Sequence, residues 1–158
     1  MNDGGRAIER KRIMNPIWLR LLRIYLWIIC IFHVMTGLGT NCSKPFVATM
    51  ADWYGAKVDL TPQFLTILHP LGAFMFILGV LAAVAARDPL RYRPIVYCFA
   101  ALFLIRSLQR ILFRNELESA FQIDPLRNLL SMGLFLAMAV GLAVLQRLAE
   151  ARPVMAAR

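Results

Sequence analysis

Four long apolar runs alternate with short polar segments along the chain. They cover residues 16–38, 62–86, 94–113 and 125–146. Each run has about 20 residues or slightly more, which is the length a helix needs to cross a bilayer. The pattern therefore predicts an all-α membrane protein, a four-transmembrane-helix bundle, in which residues 15–147 form the membrane domain.

A short amphipathic interfacial helix is predicted between the first two spans. In SKPFVATMADWYG (43–55), apolar residues recur at helical spacing. Ser43 is a good N-cap, Pro45 suits the first turn, and Gly55 can end the helix. The Trp–Tyr pair at 53–54 is typical of side chains at headgroup depth. The polar segment NELESAFQID (115–124), between the last two spans, is expected to be a loop.

Composition and charge support a membrane protein. Of the 158 residues, 59% are apolar and 17% charged, and the mean hydropathy is +0.61, which is too apolar for an ordinary soluble domain of this size. The net charge of +9 would suggest nucleic acid in a soluble protein. Here the basic residues flank apolar runs, so the positive-inside bias explains them better and no nucleic-acid partner is expected.

The distribution of basic residues also predicts the orientation. Lysine and arginine concentrate in residues 1–23, in the turn at 87–94 and in the C-terminal tail, which share one side of a four-span protein. We expect a bacterial cytoplasmic (inner) membrane protein with both tails, 1–14 and 148–158, in the cytoplasm. The basic N-terminal tail is expected to contact anionic lipid headgroups or a partner subunit.

Small residues at four-residue spacing predict where the helices touch. The fourth span carries Gly133, Ala137 and Gly141, and the second carries Gly79 and Ala83. Because lipid tails are as apolar as leucine, helices in a bilayer associate through close packing of such residues. These positions are expected to face neighbouring helices of the bundle.

The third span ends in FLIRSLQRILFR (103–114), with Arg106, Arg110 and Arg114 spaced four apart. At 100° per residue the three share one narrow helix face. Arg114 lies at the interface and Arg110 can snorkel to it, whereas Arg106 lies about two turns inside. A charge at the bilayer centre costs about 2.5–3.5 kcal/mol on the insertion scale, and less near the ends. Arg106 is therefore expected to face the bundle interior.

Two histidines are expected near the depth of Arg106. His33 is close to the outer end of the first span, and His69 is seven residues into the second, beside Pro70, which is expected to kink the helix. One interpretation is that both histidines make structural hydrogen bonds to neighbouring helices or water. A second is a shared pocket of His33, His69, Arg106 and Arg110 that holds a quinone headgroup, a b-type haem or a chlorophyll-type pigment. A third is that their positions are unrelated.

The order of elements resembles that of DoxX-like membrane proteins. The resemblance rests on layout and apolar pattern over about 120 residues, in the segments KPFVATMADWYG (44–55) and LTPQFLTILHPLGAFMFILGVLAAVAARDPLRYRPIVYCFAALFLIR (60–106). It implies the four-span fold. It also implies a link to redox chemistry, because the family includes a subunit linked to thiosulfate oxidation with quinone as acceptor.

Three classes of function fit these features. The first is an accessory or structural subunit of a larger respiratory or photosynthetic electron-transfer complex, with other integral membrane subunits as partners. The spans contain no paired carboxylates, no nucleophile–base pair and no CxxC or HExxH spacing, so no catalytic site of its own is predicted. The second is a redox subunit that binds one of the three cofactors above. The third, ranked last, is a small transporter, for which Pro70 is the only indication.

Overall fold

The computed structural model describes residues 16–151, and six helices make up most of that range. Their bounds are Pro16–Cys42 (α1), Lys44–Tyr54 (α2), Pro62–Arg87 (α3), Arg93–Leu112 (α4), Arg114–Phe121 (α5) and Pro125–Glu150 (α6). Helices α1, α3, α4 and α6 are long and apolar enough to cross a membrane and pack as a bundle. The protein is therefore an all-α, multi-pass membrane protein, as predicted.

The boundaries of the predicted domain differ in detail from those observed. The first span continues to Cys42, and α6 continues to Glu150, so the first three residues of the predicted C-terminal tail are helical. The predicted N-terminal tail (1–14) and residues 152–158 lie outside the described residues. Helix α3 runs without a break through Pro70.

The interfacial helix predicted at 43–55 is confirmed as α2. The Ser43 hydroxyl accepts a hydrogen bond from the Phe46 backbone N–H at 3.3 Å, as an N-cap does. Gly55 ends the helix with φ 72°, a left-handed conformation that glycine adopts without steric penalty. The Thr61 hydroxyl caps α3 in the same way, through the Phe64 N–H at 3.2 Å.

Helices α1 and α3 are antiparallel and their backbones are in close contact. A Cβ on Gly37 would lie 2.5 Å from the Phe76 backbone nitrogen, and one on Gly79 would lie 2.9 Å from the Val34 nitrogen. The carboxamide of Asn41 fills the space above Gly72 and donates to the Gly37 carbonyl at 2.9 Å. Small residues thus allow the backbone contact, and Gly79 packs as predicted.

Helix α1 also packs on α6, and α6 packs on α4. A stripe of buried residues along α1 forms the centre of the core: Leu19, Leu22, Leu26, Ile29, Cys30 and His33. Two side chains on α4 fasten it to α6: the Ser107 hydroxyl donates to the Met132 carbonyl at 3.1 Å, and the Phe103 ring stacks on Phe135 with centroids 6.3 Å apart. Many large apolar side chains of the four long helices are exposed on the outside of the bundle, as lipid contact requires.

Two predictions about this part of the chain were wrong. The segment 115–124 is not simply a loop, because Arg114–Phe121 forms helix α5, in which Arg114 pairs with Glu118 at 2.7 Å. Gly133 does not touch a neighbouring helix: a Cβ there would meet nothing within 4 Å, and Ala137 is also exposed. Helix α6 contacts α4 through larger side chains on another face. Gly141, the third residue of the predicted set, does face a neighbour, because a Cβ there would lie 3.5 Å from the Tyr25 hydroxyl oxygen of α1.

Candidate functional site

One end of the bundle, here called the capped end, carries α2, α5 and the connection between α2 and α3. Backbone and side-chain hydrogen bonds hold these pieces together. The Lys57 N–H donates to the Phe121 carbonyl at 2.8 Å and so joins the connection to α5. The Arg127 guanidinium donates to the Asp52 carbonyl at 3.1 Å and so joins α6 to the end of α2. The opposite end holds the tight turn between α3 and α4.

A cavity of about 300 Å³ lies beneath this cap. Helices α1, α2, α3, α4 and α5 all contribute to its wall. Most of the lining is aliphatic, and three aromatic side chains come from different elements: Tyr54 from α2, Phe64 from α3 and Phe121 from α5. The cavity is therefore an apolar pocket with aromatic walls, a common setting for a small organic ligand.

Among residues 16–151, Arg106 is the only charged residue that lines this cavity. Its side chain is half-buried, and the guanidinium carbon lies 5.2 Å from the centre of the Phe135 ring, in a cation–π arrangement. At the same end, Arg110, Arg114 and Arg127 donate hydrogen bonds to protein acceptors. Arg106 has no such acceptor among residues 16–151. Its donors are therefore available to a ligand, either in this cavity or in an adjoining cavity of about 390 Å³ that Arg106 lines together with Glu116 and Phe135.

His33 lies beside this site but is closed off from it. The side chain is 0% exposed, and its Nδ1 atom lies 2.9 Å from the Ile29 carbonyl of its own helix. The ring is surrounded edge-on by Phe32, Phe99 and Phe103. The Nε2 atom is buried and has no partner among the described residues. Enclosed in this way, it offers no open position to a metal or a ligand.

His69 lies elsewhere on the bundle. Its side chain is exposed and contributes to none of the cavity wall. The antiparallel contacts of α1 with α3 place Gly37 against Gly72 and Phe76. In this register His69 lies opposite the last turn of α1, about nine residues from His33, which is about 13 Å along the helix axis. The two histidines therefore do not share one depth in the bundle, because equal distances from the span ends do not give equal depth.

Arg110 is held in a different contact. Its guanidinium donates to the Asn128 side-chain oxygen at 3.1 Å, and the Asn128 amide donates back to the Arg110 carbonyl at 3.2 Å. The same guanidinium lies 5.6 Å from the centre of the Tyr54 ring. Arg110 thus fastens α4 to α6 and supports a residue of the cavity wall, but it does not line the cavity itself.

Of the four predicted site residues, the structure places only Arg106 in the cavity wall. Sequence reasoning missed the aromatic residues Phe64 and Phe121 and the α1 hydroxyl residues Thr36 and Thr40, all of which line it. The threonines follow His33 by about one and two turns, so their position near the end of the first span was the only signal available. Comparison with protein families, with curated proteins and with solved structures finds no match for the chain.

Proposed function

We propose that the protein is a membrane subunit that binds a quinone in the cavity at the capped end, with Arg106 as the donor to a quinone carbonyl. The observation that carries the proposal is the guanidinium of Arg106, half-buried in an otherwise uncharged cavity and without a protein acceptor among residues 16–151. A guanidinium has five N–H donors and no acceptor. Leaving it unpaired in apolar surroundings is costly, so an oxygen-bearing ligand stabilises the site.

The walls of the cavity favour a quinone over other amphiphiles. A quinone headgroup is a flat ring with carbonyl acceptors, and the rings of Tyr54, Phe64 and Phe121 offer flat apolar surfaces for it. Aliphatic residues of α3, such as Leu68 and Leu71, give the attached hydrocarbon tail an apolar path. A fatty acid would use Arg106 but has no ring for the aromatic walls.

The histidine geometry does not support a haem or a chlorophyll-type pigment bound by the predicted pair. Ligation needs a free imidazole nitrogen aimed at the metal. The Nδ1 atom of His33 is bonded to Ile29, and its Nε2 atom is enclosed by phenylalanine rings. His69 is exposed and displaced along the bundle. The residues at the site therefore fit a hydrogen-bonded ligand better than a metal-centred one.

A quinone site without catalytic groups of its own suits an accessory subunit of a larger electron-transfer complex, so the proposal includes that role. A bound quinone supplies a two-electron acceptor, which a partner subunit would reduce or oxidise. The resemblance to DoxX-like proteins agrees with this role. The distribution of basic residues supports cytoplasmic termini, which would put the capped end at the outer face of the bacterial inner membrane.

Quinone binding to the purified protein in lipid nanodiscs tests the proposal. The affinity for a short-chain ubiquinone or menaquinone is measured by equilibrium partition and extraction. We expect Arg106→Leu to weaken binding by about 10- to 100-fold, because a hydrogen bond from a charged donor is worth about 1.5–3 kcal/mol. The quinone affinity of Arg106→Lys should lie between those of the wild type and Arg106→Leu, since lysine keeps the charge but not the planar donor set.

Lys57→Leu is the matched control, because it removes a charge at the same end from an exposed side chain outside the cavity wall. It should bind quinone like the wild-type protein. Equal quinone affinity in the wild type and Arg106→Leu would contradict the proposal. If the protein binds a fatty acid more tightly than quinone, and Arg106→Leu loses that binding, Arg106 is still the donor to the ligand. The assignment of the ligand as a quinone would then be wrong.

A further inference from the structure

A groove of about 430 Å³ lies between α4 and α6 at the capped end, on the surface of the bundle. It shares no lining residue with the cavity that Arg106 enters. Its apolar part is formed by exposed side chains, Ile111 from α4 and Leu126 and Leu129 from α6. Because these helices cross the membrane, the groove opens toward lipid, and a hydrocarbon chain is its natural occupant.

The polar part of the groove is basic. Arg110 and Arg114 line it together with Asn128, and no acidic residue of the described part of the chain lines it. The Nε atom of Arg114 donates to Glu118 at 2.7 Å, and the other N–H groups of this guanidinium donate to no acceptor among residues 16–151. Arg110 is oriented by its bond to Asn128. Arg110 lies in the last turn of α4 and Arg114 begins α5, and both contribute to the wall of the groove.

The depth of these arginines matches a lipid headgroup. Helix α4 ends at Leu112, so Arg110 lies in its last turn and Arg114 lies just beyond it. This is the level at which hydrocarbon gives way to headgroups in a spanning helix. The groove thus has positive charge at headgroup depth and an apolar surface directly below it. These features are complementary to the phosphate and an acyl chain of one phospholipid molecule.

We propose that this groove binds an anionic phospholipid, with its phosphate held by Arg110 and Arg114 and an acyl chain along Ile111 and Leu129. An anionic lipid is favoured over a zwitterionic one because two cationic groups line the site, and the one carboxylate paired with them among the described residues, Glu118, leaves a net positive charge there. The inference does not depend on the quinone site, since Arg106 is not part of the groove. It also differs from general attraction of basic tails to a membrane surface, because it assigns one lipid to one groove.

Native mass spectrometry of the full chain tests this inference. The protein is released from nanodiscs that contain equal amounts of phosphatidylglycerol and phosphatidylcholine, and the retained lipids are counted. The wild-type protein should retain one phosphatidylglycerol in preference to phosphatidylcholine. Arg114→Gln should lower that retention about fivefold, the effect of one basic group beside an anionic lipid. Arg114 is exposed, so the substitution leaves the core intact.

Lys57→Gln supplies the control, because it removes the same charge from the same end but outside the groove. It should retain phosphatidylglycerol like the wild type. Equal retention of the two lipids by the wild-type protein would overturn the inference. So would an equal loss in Arg114→Gln and Lys57→Gln, because it would show a general charge effect instead of a site. Quinone affinity is measured on the same samples, so that failure of the lipid inference can be distinguished from failure of the quinone proposal.

Discussion

Replacement of Gly37 by alanine should force α1 away from α3 and destabilise the bundle. The added Cβ would lie 2.5 Å from the Phe76 backbone nitrogen and 2.7 Å from the Gly72 carbonyl oxygen. Both neighbours are backbone atoms, so no side-chain rotation can relieve the overlap. Ordinary contact begins near 3.4 Å, so the helices must separate by roughly 0.9 Å (3.4 − 2.5), which weakens packing along their whole contact.

The magnitude is best measured against Gly133→Ala, a matched substitution on α6. A Cβ at Gly133 meets nothing within 4 Å, so this variant should gain up to about 1 kcal/mol from the better helix propensity of alanine. Gly37→Ala has the same propensity gain but also an overpacking cost of about 1–3 kcal/mol. The two variants should therefore differ in the free energy of unfolding by about 1–3 kcal/mol.

Reversible unfolding in mixed micelles, titrated with sodium dodecyl sulfate and followed by helical circular dichroism, gives both free energies under one condition. We expect Gly133→Ala to be at least as stable as the wild type and Gly37→Ala to be less stable than Gly133→Ala. If Gly37→Ala matches Gly133→Ala, the backbone contact between α1 and α3 is not as the structure has it.

Two further predictions concern other parts of the bundle. Asn128→Leu should lower the free energy of unfolding by about 1–3 kcal/mol in the same titration, because it leaves half-buried donor and acceptor groups of Arg110 without their partner. An unchanged unfolding midpoint would show that these two hydrogen bonds do not stabilise the fold. Reporter fusions at positions 50 and 120 should read outside the cytoplasm, and a fusion at 90 should read inside, because of the lysine and arginine asymmetry; the reverse pattern would refute the orientation.

The sequence was informative wherever one helix could be interpreted by itself. The apolar runs gave the four spans, since length and hydropathy are properties of a single segment. Local signals also gave α2: Ser43 caps its start and Gly55 closes its end. Helix α5 was missed because its acidic residues and its short length are typical of a loop between spans. It is stabilised by the ion pair of Arg114 with Glu118 and by the hydrogen bond from the Lys57 N–H to the Phe121 carbonyl. The pattern of apolar residues indicates neither interaction.

The candidate site was only partly predictable, because it depends on how helices lie against each other. The prediction that Arg106 faces away from lipid needs only the position of the residue within one helix and the cost of a charge in hydrocarbon. The relation of His33 to His69 depends on the register of α1 and α3, which the contact of Gly37 with Gly72 and Phe76 sets. The cavity wall needs five helices at once, so no local pattern could indicate Phe64 or Phe121.

Photolabelling with an azido-quinone in nanodiscs tests the quinone site most directly. After irradiation, the labelled peptides are located by mass spectrometry, with and without an excess of unlabelled quinone. The account predicts label on the cavity-lining parts of α2 and α3, within 47–54 and 64–75, with competition by unlabelled quinone and loss in Arg106→Leu. Label confined to lipid-facing residues such as Leu134 and Val140, unchanged by competitor or substitution, would contradict it.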